Sequence, residues 1–208
     1  MIIGLFFAGI MNFGSYWFSD RIVLKIYGAE KVERSDRPDL YDAVERLAED
    51  AGIPVPELYI SKMDVPNAFA TGRNPEHGVV CVTQGLLRNL EQEEVEGVIA
   101  HEMAHIKNRD TLINAVVATI AGAIAIIAEM VFWGALFSGK DEEGELLSAM
   151  AFMILTPLIA TIIRTAISRK MEFRADSDAV SIQGKKEGLS SALRKISSAN
   201  ERKNSRHK

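Results

Sequence analysis

The chain has 208 residues, 48% of them apolar, enough for one domain with a substantial core. Its 24 Lys and Arg stand against 28 Asp and Glu, and the net charge of -4 gives no argument for a nucleic-acid partner. The single cysteine, Cys81, excludes an internal disulfide.

The apolar residues are bunched. Residues 1–18, 112–137 and 146–167 are almost free of charge, and the intervening stretches are strongly charged. Residues 1–18 are just long enough to span a bilayer. They lack the basic start and small-residue cleavage site of a secretion signal, so they read as a membrane anchor. Residues 20–37 are mixed and rich in Lys and Arg, which by the positive-inside rule puts this end in the cytoplasm.

Pro38–Ala51 reads as a helix with Leu40, Val44, Leu47 and Ala48 as its buried stripe and Gly52 at the C-cap. Glu57–Ser61, Asn67–Gly72 and Gly78–Thr83 read as strands, together a small antiparallel sheet. Cys81, inside an apolar run, reads as a core residue. His77, in a turn-rich stretch, and His207, in a polar tail, read as solvated.

A helical region begins at Gln84–Leu90 and leads to the stretch that carries chemistry. Asn89 is the expected N-cap, acids follow in the first turn, and Val95, Val98 and Ile99 recur at helical spacing. On that helix comes His101-Glu-Met-Ala-His105. Positions i and i+4 share a face, so His101 and His105 can aim two imidazoles at one metal ion. Glu102, about 100° further round, can reach a water on that metal.

Residues 112–137 form the second apolar stretch, with Glu129 as its one charge, and 138–145 are a short acidic loop. Residues 146–167 form the third, with Pro157 and Arg164 inside. Two buried core helices are the alternative, but the lengths favour a transmembrane hairpin. Pro157 is expected to kink its helix and Arg164 to snorkel to the interface. Glu129 is expected to face a cavity or lie near the outer interface. From Ser168 the chain turns polar and basic, again cytoplasmic, and residues 200–208 read as frayed.

A catalytic zinc takes three protein ligands and keeps a fourth place for water. The best third candidate is Glu172, with Asp176 one turn on, available to accept the second N–H of a ligating histidine. His101 and Glu172 can share an ion only if an even number of crossings separates them, and the sequence offers two.

The segments His101–Asp110, Asn67-Ala-Phe-Ala-Thr-Gly72 and Glu172-Phe-Arg-Ala-Asp176 resemble the HtpX heat-shock membrane proteases, which group with the CAAX prenyl protease-like gluzincins. The resemblance covers nearly the whole chain, which looks short at both ends beside that family. It implies an α+β, mostly helical integral membrane metalloprotease with a zincin-like catalytic unit, a small antiparallel sheet and an inserted transmembrane hairpin. It implies one Zn2+ held by His101, His105 and Glu172, with Glu102 as base and Asp176 behind the ligands. Asn67, Ala68, Phe69 and Ala70 would form an edge strand that binds substrate backbone.

The expected parts are an anchor at 1–18, a cytosolic unit at 19–111, a membrane hairpin at 112–167 and a cytosolic segment at 168–208. The expected role is hydrolysis of damaged or misassembled membrane proteins at the cytosolic face of the cell membrane, with polypeptide substrates and the bilayer as partners. A narrow-specificity prenyl-protein peptidase and a non-catalytic adaptor with a structural zinc are the alternatives. The adaptor would need a closed four-ligand site, usually rich in cysteine.

Overall fold

The structure, a computed structural model, describes residues 14, 16–137, 143–185 and 187–205. The expected anchor at 1–18 and acidic loop at 138–145 fall largely outside the described residues, and His207 wholly so. Helix α1 (Ser19–Ile26) and strand β1 (Ala29–Lys31) come first, then α2 (Pro38–Ala51), β2 (Glu57–Ser61), β3 (Ala68–Thr71) and β4 (Val79–Thr83). Helices α3 (Gln84–Asn89), α4 (Gln92–Lys107), α5 (Asp110–Phe137), α6 (Glu143–Gln183) and α7 (Glu187–Ser205) complete the order.

Helix α2 begins with Pro38 in its first turn, where a missing N–H costs nothing. It ends at Gly52, whose φ of 69° lies in the left-handed region. There Ile53 N–H reaches back to Ala48 O, closing the free carbonyls of the last turn. The expected buried stripe is the observed one: Leu40, Val44, Leu47 and Ala48 are all inside.

The sheet differs from the expected antiparallel one. Its order is β1-β2-β4-β3, with β2 and β4 parallel and the other two pairs antiparallel. The chain passes from β2 across to β3 and returns as β4 between them. Strand β4 is therefore central and buried on both faces, which is why Val79-Val-Cys-Val-Thr83 is an unbroken apolar run rather than an alternating one. One face of the sheet joins the main core with α2 and α4 through Leu58, Val80 and Val82, together with Ala175, Ala179 and Ile182 of α6 and Leu189 and Ala192 of α7. The other face is covered by α1, with Leu24 against Val79 and Cys81.

The described residues form two compact units. One comprises the chain up to Leu112 together with residues from Glu172 onward; the other is Ile113–Met171. In the second unit α5 and α6 are long and apolar enough to cross a membrane, and only 6% of each apolar window is buried. Ile120, Ile124, Ile154, Ile159 and Ile162 are among the side chains left exposed. Core helices of a soluble protein would bury such residues, so this exposure speaks for the expected transmembrane hairpin and against its core-helix alternative.

Helix α6 runs unbroken through Pro157 and on to Gln183. Arg164 approaches Ala118 O on α5 at 3.5 Å, and Glu129 is exposed on α5. The C-terminal segment expected to fray from residue 200 is helical through Ser205.

Candidate metal centre

Helix α4 starts two residues later than expected. Asn89 closes α3 instead, and Glu91 is the N-cap of α4 in a reciprocal capping box with Glu94. Glu91 N–H donates to the Glu94 carboxylate at 2.9 Å, satisfying an otherwise orphaned donor. Beyond its first turn α4 is enclosed: Val95, Val98, Ile99, Met103 and Ile106 are buried. A helix walled in on several sides holds its polar residues in fixed places, and His101 and His105 occur in that setting, with side chains 15% and 20% exposed.

The two imidazoles meet edge to face, with His101 Nε2 and His105 Nε2 3.2 Å apart. Glu172, from α6, brings Oε2 to 3.4 Å from His101 Nε2 and Oε1 to 3.9 Å from His105 Nε2. Among the described residues these three could hold a metal ion, their ligand atoms all lying within 4.8 Å of one another. A tetrahedral ion with bonds of about 2.0–2.1 Å sets its donor atoms about 3.3–3.4 Å apart. The two imidazole nitrogens, 3.2 Å apart, already meet that requirement, and the Glu172 carboxylate, which offers a different oxygen to each ring, would have to move inward to bring one oxygen within reach of the same ion.

Glu102 lies beside this cluster. Burial pushes its carboxyl above the ordinary range, while the His101 and His105 rings and a hydrogen bond from the Ala70 N–H pull it back; the nearby Glu172 adds to the rise. A carboxylate tuned upward next to two imidazoles is the environment of a general base.

The far sides of the rings differ. His105 Nδ1 lies 2.6 Å from Asp110 Oδ2, and the other oxygen of Asp110 takes a 2.5 Å hydrogen bond from Arg174. His101 Nδ1 lies 3.0 Å from Asp176 Oδ1 but is buried without an aligned hydrogen-bond acceptor. The carboxylate is therefore close to the ring but off its N–H axis. Asp176 lies against the His101 ring, the neighbourhood expected for it. Asp110 and Arg174 were not anticipated: an acid five residues past a histidine carries no spacing signal of its own.

Strand β3 lies at the edge of the sheet. Asn67 O accepts from Thr83 N–H at 3.0 Å, and the register pairs Phe69 with Cys81 and Thr71 with Val79. Alternation in an antiparallel ladder then turns the backbone groups of Ala68 and Ala70 outward, away from β4. The Ala70 backbone amide is one of the groups that lower the Glu102 carboxyl, so the edge strand and the candidate base are neighbours. The Phe69 ring is on the opposite face, 4.6 Å from Tyr27, and serves packing there. His77 is exposed as expected and its ring bonds to Asn74. Cys81 is fully buried.

A profile described as Peptidase family M48 matches residues 34–206. The chain is 50% identical over 201 residues to a protein named "Protease HtpX homolog" from Desulforapulum autotrophicum, covering 94% of this chain and 65% of that one. It is 50% identical to "Protease HtpX homolog" from Pyrococcus furiosus, covering 96% of this chain and 70% of the other. It is also 50% identical to "Protease HtpX" from Legionella pneumophila, with 96% and 72% covered. The chain thus spans about two thirds of the length of the curated relatives it matches. The crystal structure of Ste24p from S. mikatae shares the fold, with a TM-score of 0.68 at 20% identity over 92% of this chain and 50% of that one. The protein belongs to peptidase family M48, as an HtpX-type metalloprotease sequence.

Proposed function

We propose that the chain is a zinc-dependent endopeptidase that hydrolyses peptide bonds in damaged or misassembled membrane proteins, with its site on the cytoplasmic face of the cell membrane. The observation that carries this reading is the three-donor cluster with Glu102 beside it and the edge strand β3 next to Glu102. His101, His105 and Glu172 would hold the ion. A zinc bound there supplies an acidified water and a Lewis acid for the scissile carbonyl.

The rest is work for the chain's own residues. Glu102 takes the proton of the attacking water and hands it to the leaving nitrogen. An extended peptide pairs with β3, where Ala68 N–H, Ala68 C=O and Ala70 C=O remain to bind it. Ala70 N–H faces Glu102 and lowers its carboxyl, which keeps the base next to the strand that would hold the substrate. Pairing through backbone groups reads side chains weakly, which suits broad specificity. The lone thiol, Cys81, is buried on the face away from α4 and offers no fourth ligand for a closed structural site.

The basic flanks of the apolar stretches support a cytoplasmic site. Glu102→Gln in the full chain in detergent should keep its metal and lose casein hydrolysis by about 10²–10⁴-fold. Hydrolysis at the wild-type rate would remove Glu102 from the mechanism.

A further inference from the structure

On α6, Ala175, Ala179 and Ile182 form a buried stripe. At 100° per residue, Glu172 and Asp176 lie on one flank of that stripe and Arg174 and Asp178 on the other. The first flank meets the imidazoles. The second meets the connector between α4 and α5: Arg174 bonds Asp110, and Asn108 Nδ2 donates to Asp178 at 2.7 Å. The rotation of α6 about its own axis is thereby set from both sides.

The connector itself is specially built. Arg109, at φ 55°, is the one non-glycine residue in the left-handed region among the described residues. Such a backbone costs free energy that the surrounding structure must supply. Arg109 lies at the break between α4 and α5, and just past it Asp110 meets the His105 ring. The Asp110 side chain is 5% exposed and both of its oxygens are engaged, one by the His105 ring and one by Arg174. Asp176 is about half exposed, and its contact with His101 is misaligned. One ring is held by a gripped, buried carboxylate and the other by a loose one.

We propose that Asp110 is the main positioning residue of the metal centre, and that it works through His105. It holds the ring through Nδ1, which would leave Nε2 free to bind the ion, and Arg174 fixes Asp110. Because Arg174 and the third ligand Glu172 share one helical segment, the same contact couples the placement of the second histidine to that of the glutamate. This inference rests on the reading of His101, His105 and Glu172 as a metal site.

The test is the zinc affinity of the full chain in detergent, measured by competition with a chromogenic chelator, beside the melting temperature of the metal-free protein. Loss of a carboxylate behind a ligating histidine weakens metal binding by about 10–100-fold, and Asp110→Asn should fall in that range. Arg174→Gln should weaken binding in the same direction by a smaller factor, and Asp176→Asn by less than Asp110→Asn. Arg174 is 43% exposed, so its variant keeps the proposal testable if Asp110→Asn fails to fold. Wild-type affinity in folded Asp110→Asn, or in Arg174→Gln with only a lowered melting temperature, would overturn the positioning role while leaving the metal reading intact. A wild-type chain that binds no zinc would overturn both.

Discussion

Cys81 lies at the centre of β4 with no exposed surface, and burial pushes its thiol up to about 12. The thiolate is the reactive form, and at neutral pH this sulfur has almost none of it. Iodoacetamide at pH 8 should leave Cys81 unmodified in the native chain and label it once denaturant is added. Rapid labelling of the native protein would mean that the sheet opens at β4. The same contrast between local and assembled chemistry explains which site residues the sequence reveals. His101, Glu102 and His105 are legible because one helical turn fixes their relation. Glu172 and Asp176 are legible because they repeat that spacing on a second segment. Asp110 and Arg174 gain their role only when the 108–110 connector meets α6, and nothing in the spacing of either segment encodes that meeting.

Helix α7 docks on α4 through close backbone approaches at Gly97 and Gly188 and a polar anchor. A Cβ at Gly97 would lie 2.6 Å from the backbone N of Leu189, so only glycine fits at that crossing. Glu94 is the anchor: buried, it accepts from Ser191 at 2.6 Å and from Lys195 at 2.7 Å. Burial opposes its ionisation, but Lys195, Ser191 and the capping amide of α4 together hold its carboxyl below the ordinary value of 4.5. A group whose pKa is lower in the folded state stabilises fully above its ordinary value, and that contribution is lost as pH falls through the folded value. Wild type should therefore exceed Glu94→Gln by about 0.5–1.5 kcal/mol at pH 7. The gap should shrink as pH drops below 4.5. Denaturant titrations at pH 7 and pH 4 check this, and a gap that does not change with pH would show that the ion pair contributes nothing. Long or well-punctuated elements were legible: α2 from its stripe and Gly52, and β2 and β4 from their apolar runs. Strand β1 was not, because Ala29-Glu-Lys31 has no apolar pattern and pairs only through β2. The parallel β2–β4 pair was missed because short links favour neighbouring strands, while here the link crosses the sheet.

At the scale of the molecule, the catalytic unit is assembled from two stretches of sequence separated by residues 113–171, which form a unit of their own. That insertion is apolar and exposed, and the family profile runs straight through it. The sequence pointed to this architecture through an argument of parity: two expected crossings would return Glu172 to the side of His101, and in the fold the two residues meet. It could not disclose how the returning helix is set, because rotation about a helix axis depends on contacts on both flanks at once. The account stands on one ion shared across that insertion. The most direct test is the metal content of the purified full chain in detergent, after zinc loading and removal of excess, for wild type and Glu172→Ala. One zinc per wild-type chain and almost none in a folded Glu172→Ala chain is the predicted result. A wild-type chain without metal, or full occupancy in Glu172→Ala, would contradict it.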